Sequence, residues 1–208
     1  KLFSMGMDVS LFIQPHHWRR ARKPMKQFFI NSNDIPLTIE SHGQAVHDLH
    51  SCYLYLKAQG YDRIGLIGGS LGGCVVSNYA TVTDDPAFIF SVVPAVRFDQ
   101  YLNPKKTKFK FPITDMHVEK VFSALDVVDP SFYEPKLPLE RFAVVYHRGD
   151  RINEAIDTER WVNQWGIKNS TSIAGGHWVV FDKKARGAAW YGWLKKHNFS
   201  NESLAMNK

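Results

Sequence analysis

The sequence predicts an α/β domain, built on a mostly parallel sheet with helices on both faces. Three observations predict it. Apolar runs of strand length alternate with stretches of helical spacing. The runs are apolar without interruption, as in strands covered on both faces. The length of 208 residues suits one domain with a full core better than two.

The elements follow in chain order. Residues 7–13 (MDVSLFI) form a short, β-branched apolar run closed by Pro15, which predicts a buried strand. A polar, basic loop follows. From Ser41 to Gly60, Val46, Leu49, Tyr53 and Leu56 recur at helical spacing, and Gly60 supplies the stop. Residues 63–68 (RIGLIG) predict a central strand, and helical spacing resumes after Ser70 with Leu71, Cys74, Val75 and Asn78. Residues 87–95, 141–147 and 170–176 predict three more strands. Residues 157–166 and 183–197 predict helices, the first opened by Asp157 as its N-cap. The proline- and lysine-rich stretch 97–140 breaks the rhythm and reads as a cap-like insertion within the single domain 1–208.

Composition excludes several classes. No apolar run approaches the roughly 18–20 residues of a membrane span, so no membrane span is expected. The net charge of +6 gathers in two basic clusters, residues 16–26 and 103–111, but no nucleic-acid motif accompanies either. Solvated basic faces are expected, with no nucleic-acid partner. Cys52 and Cys74 fall in helical runs and read as free buried thiols, which points to a reducing, cytoplasmic location.

The chemistry concentrates at Gly68-Gly69-Ser70-Leu71-Gly72, a G-x-S-x-G pattern set between a strand and a helix. A nucleophile there needs a backbone that reverses sharply, with flanking glycines clearing the neighbouring strand and helix. A serine nucleophile also needs a base, and the base needs an orienting carboxylate. Asp150 stands in the turn after one later strand and His177 after the next, behind two glycines. Asp157 and Asp182 are rival acids, and Arg148-Gly149-Asp150 also spells an adhesion string at a core strand end.

At these residues the chain resembles the alpha/beta-hydrolase superfamily, through Gly68-Gly69-Ser70-Leu71-Gly72, His147-Arg148-Gly149-Asp150 and Gly175-Gly176-His177. Residues 6–24 and 42–73 look most like a poorly characterised branch of it, with His16 and His17 replacing an aromatic and a glycine. The resemblance implies a serine esterase acting on a small-molecule acyl substrate, with no metal or organic cofactor. It implies Ser70 as nucleophile, His177 as base, Asp150 as its orienting partner and the Leu71 backbone N–H as one oxyanion donor. His17, Trp18 and Trp178 are expected to line the pocket. The second oxyanion donor in such hydrolases lies upstream of Lys1, so the N-terminal strands are expected to be missing, or the loop from Pro15 to Trp18 takes that role. The alternative expectation is a catalytically weak or inactive hydrolase-fold binding protein.

Overall fold

A computed structural model describes residues 2–21, 31, 34–98, 120 and 123–199. Among these residues four strands, β1 (Gly65–Gly69), β2 (Phe88–Val92), β3 (Phe142–His147) and β4 (Ser170–Ile173), form one sheet in the order β1-β2-β3-β4, every neighbouring pair parallel. Helices of the described residues include α1 (Ile35–Ala58), α2 (Leu71–Val82), α3 (Ala155–Trp165) and α4 (Lys183–Lys196).

Because the strands advance in one direction across the sheet, right-handed crossovers place their helices on one face. That face holds the largest core. Leu66, Ile89, Phe142, Val144 and Tyr146 meet Leu49 and Tyr53 of α1, Val75, Val76 and Tyr79 of α2, and Trp161 and Trp165 of α3. The alternate residues Phe88, Phe90, Ala143 and Val145 face the other way, against Trp193 and Leu194 of α4 and the flanking Leu2, Met5 and Met7. The two-residue alternation of a strand thus divides each apolar run between two cores.

Local signals set the helix limits. Asp34 accepts from the Leu37 N–H with Pro36 behind it, so α1 begins six residues before the stretch read from spacing. Asp182 caps α4 by accepting from the Ala185 N–H at 2.8 Å, which occupies it structurally rather than as an acid. Asp157 is not the N-cap of α3. Glu154 holds that place, and Asp157 lies in the first turn, buried and paired with Arg160 at 3.2 Å and Arg97 at 3.7 Å.

One strand expectation is corrected. Residues 7–13 join none of the three ladders, and Val9 and Leu11 are exposed. An apolar run specifies burial, whereas a strand needs a paired neighbour; here only Phe12 packs on the large core and Met7 on the other. Among the described residues β1 stands at one end of the strand order, where Ile67 is 46 % exposed.

The cap-like insertion lies mostly outside the described residues, which exclude 99–119, and the basic cluster at 103–111 lies wholly outside them. Where the described chain leaves β2 and returns toward β3, buried Asp129 joins the two passages. Its carboxylate accepts from the N–H groups of Arg97 (3.1 Å), Phe98 (2.6 Å) and Ser131 (2.9 Å). Among the described residues no helix is long and apolar enough to cross a membrane.

The cysteines separate. Cys74 is wholly buried, and burial, with the Asp129 carboxylate nearby, pushes its thiol well up, so it stays protonated and unreactive. Cys52 is exposed on α1, against the expectation for it, because the buried stripe runs through Ala45, Leu49 and Tyr53 and leaves position 52 on the outer side. Native protein treated with iodoacetamide should therefore take one carbamidomethyl group at Cys52, and a second at Cys74 only after denaturation. Equal modification of both in native protein contradicts this packing.

Candidate active site

Parallel strands bring their carboxyl ends to one edge of the sheet, so the residues that follow them meet there. Ser70 follows β1, Asp150 stands three residues beyond the end of β3 and His177 lies beyond β4. These three side chains come together. His177 Nε2 is 2.9 Å from Ser70 Oγ, and His177 Nδ1 is 2.8 Å from Asp150 Oδ2. The carboxylate can only accept, so Nδ1 carries the proton, leaving Nε2 as the acceptor for the serine hydroxyl. The contact is largely dry, with the His177 side chain 4 % exposed and that of Asp150 0 %.

Each member is held from its own loop. The other Asp150 oxygen, Oδ1, accepts from the N–H groups of Ile152 at 2.8 Å and Asn153 at 2.9 Å, which fixes the carboxylate plane. Sequence reasoning missed Asn153. It is 3 % exposed, and its side-chain amide donates to the Val93 carbonyl at 2.5 Å, tying the Asp150 loop to the loop after β2. An asparagine three residues beyond the acid is the only signal it left. Val93 itself has φ 42°, an uncommon conformation for a β-branched residue, and its N–H donates to Val145 at 2.7 Å.

Ser70 has φ 55° and ψ −117° and occupies the N-cap of α2. Its position lifts the hydroxyl away from the sheet and puts it beside the free N–H groups of the first helical turn. The Leu71 N–H belongs to that turn, where no intrahelical carbonyl reaches it. Beside it, Gln14, Pro15, His16 and His17 line a small cavity together with His42, Leu71 and Val75. The Gln14 amide nitrogen lies 3.4 Å from where a Cβ on Gly72 would stand. His17 therefore lies near the start of α2. Trp18 instead is 63 % exposed, with the Arg19 guanidinium over its ring. Trp178 is 82 % exposed and stands edge-on to His177, ring centroids 4.6 Å apart.

The glycines around Ser70 do not share one role. A Cβ on Gly68 would fall 2.0 Å from the Gly72 carbonyl oxygen, and one on Gly73 2.9 Å from both Pro94 Cα and Ser91 Oγ. A Cβ on Gly69 would meet nothing within 4 Å. Strand and helix therefore require glycine at 68 and 73, while 69 faces open space and 72 would bring a side chain into contact with the Gln14 amide.

The fold is that of the alpha/beta hydrolases. Solved structures similar to this chain include an esterase of Pyrococcus furiosus, at 16 % identity and TM-score 0.53 over 74 % of this chain and 62 % of the esterase. An esterase domain from a Rhodothermus marinus protein aligns at 15 % identity and TM-score 0.51, over 74 % of this chain and 68 % of that one. A monoacylglycerol lipase of Paleococcus ferrophilus aligns at 14 % identity and TM-score 0.51, over 76 % of each chain. The chain thus spans about 62 % of the length of the first of these. No protein-family model matches the sequence, and no curated protein matches it.

Gly68→Ala should destabilise the protein by about 1–3 kcal/mol through overpacking against the helix, whereas Gly69→Ala should change the thermal midpoint little. Denaturant titration of the two variants checks this; equal losses contradict the steric assignment.

Proposed function

We propose that the protein is a serine hydrolase that cleaves a carboxylic ester or related acyl bond, carboxylesterase-like in its chemistry. One observation carries the reading: the continuous hydrogen-bonded relay from Ser70 Oγ through the His177 ring to the Asp150 carboxylate, at 2.9 and 2.8 Å. In this reading Ser70 attacks the acyl carbon as His177 Nε2 takes its proton, and Asp150 stabilises the imidazolium that forms. The proton passes to the leaving alcohol, leaving an acyl-enzyme on Ser70. His177 then activates water to release the acid.

The oxyanion of each tetrahedral intermediate needs donors that are already in place. The Leu71 N–H at the start of α2 supplies one. We assign the second to the loop beside it, where the Gln14 amide reaches the same helix start. His17 and Trp178 border the approach to Ser70, and the exposed indole of Trp178 offers an apolar wall for an acyl group.

A series of p-nitrophenyl acyl esters of graded chain length tests the proposal and reports the acyl preference. The protein should hydrolyse at least one of them, with Ser70→Ala and Asp150→Asn each lowering kcat by about a thousandfold or more. Gln14→Leu should lower kcat by about a hundredfold if its amide holds the oxyanion, and leave it unchanged if the donor lies elsewhere. Turnover that survives Ser70→Ala would overturn the mechanism. Absence of turnover on every ester would favour a hydrolase-fold binding protein instead.

A further inference from the structure

We propose that His147 is a positioning residue that holds the His177 loop in register with Ser70, a role that rests on the serine-hydrolase reading. His147 ends β3, paired with Ile173 of β4, and is 3 % exposed. Its Nδ1 lies 2.8 Å from the carbonyl oxygen of Gly176. A carbonyl only accepts, so Nδ1 carries the proton and donates it. The Gly176 carbonyl and the His177 nitrogen belong to one peptide plane. Fixing that oxygen therefore fixes the rotation of the plane from which the His177 side chain departs.

That restraint answers a problem the sequence creates. Gly175 and Gly176 precede His177, and two consecutive glycines leave the backbone unusually free. Gly175 is required by close approach: a Cβ there would fall 2.5 Å from the Val179 carbonyl oxygen and 3.4 Å from Cγ of His147 itself. The loop must therefore be flexible in composition yet fixed in place. Neighbouring backbone bonds hold its rim, with the Gly149 N–H donating to Gly175 at 2.9 Å and the Gly176 N–H to Val179 at 2.8 Å. Only His147 adds a side-chain bond to the carbonyl adjoining His177 among the described contacts.

The far nitrogen of the same ring argues that this bond is the reason for a histidine. His147 Nε2 is buried and has no hydrogen-bond partner among the described residues. An unsatisfied buried acceptor is destabilising, and an apolar side chain of similar volume would avoid it. The position accepts that cost while keeping Nδ1 on Gly176.

Comparison of wild type with His147→Asn, His147→Gln and His147→Leu in the full chain tests this. Asn presents an amide donor where Nδ1 stands, Gln moves it outward and Leu removes it. The rate of fluorophosphonate labelling at Ser70 and kcat on an ester the wild type hydrolyses should fall roughly ten- to hundredfold in the Gln and Leu variants. KM should change little, and His147→Asn should retain rates near wild type. The downfield proton resonance of the His177 Nδ1–H bonded to Asp150 should persist in wild type and the Asn variant, and broaden or vanish in the other two. If Leu does not fold, the contrast between Asn and Gln decides. A wild type that labels normally, with all folded variants labelling equally fast or Asn losing as much as Gln, overturns the positioning role alone. A wild type that fails to label overturns the hydrolase reading, and this role with it.

Discussion

Ser70 holds φ 55° and ψ −117°, a backbone conformation that residues with a side chain seldom adopt, and the surrounding structure is arranged to keep it there. Its N–H donates to the Val92 carbonyl at 2.9 Å, while its own carbonyl accepts from Cys74 and Ala95, each at 3.1 Å. The turn is thereby fastened to the end of β2, to the first turn of α2 and to the loop after β2. Local strain of this kind costs about 1–3 kcal/mol and survives only where neighbours over-determine it. Here one of those neighbours, Val93, is itself held at positive φ by Asn153 and Val145.

The same fastening carries the electrostatics. Asn153 touches Val93 through its side chain and Asp150 through its backbone, so the loop after β2 and the loop that bears the carboxylate are tied to each other. The His177 and Asp150 side chains are almost fully dry, which strengthens the hydrogen bond between them and makes an unpaired member costly. A hydroxyl, an imidazole and a carboxylate so placed are matched by geometry: His177 faces Ser70 Oγ with one ring nitrogen and Asp150 Oδ2 with the other, while Asp150 Oδ1 takes two backbone N–H groups. Asp129 does comparable work farther out. Burial raises its carboxyl pKa while three backbone N–H groups favour the charged form, and those three bonds tie the exit from β2 to the return toward β3.

Much of this was legible in the sequence because each feature has a local cause. Runs such as 141–147 and 87–95 are apolar at both parities, which only a doubly covered strand needs, and Gly68 and Ser70 announce a sharp turn. The order Ser70, Asp150, His177 followed from asking what a serine nucleophile requires at later strand ends. What stayed hidden depends on partners distant in the chain. Residues 7–13 have the composition of a strand but no neighbour to pair with. Cys52 and Ile67 look like core residues until the faces of α1 and β1 are set by packing. Asp157 resembles a cap because the sequence does not show that Glu154 opens the helix. His147 and Asn153 act through single bonds to backbone carbonyls, at Gly176 and Val93, that no spacing announces.

The proposed hydrolase chemistry requires Ser70 to become covalently acylated, with His177 and Asp150 as its partners. An activated ester mixed with the protein, quenched in acid during turnover and digested for mass spectrometry, tests it most directly. One acyl group is expected, carried on the peptide containing Ser70 and absent from the Ser70→Ala protein. An acyl group found on another side chain, or steady turnover with no adduct at Ser70 under conditions where deacylation is slow, would contradict it.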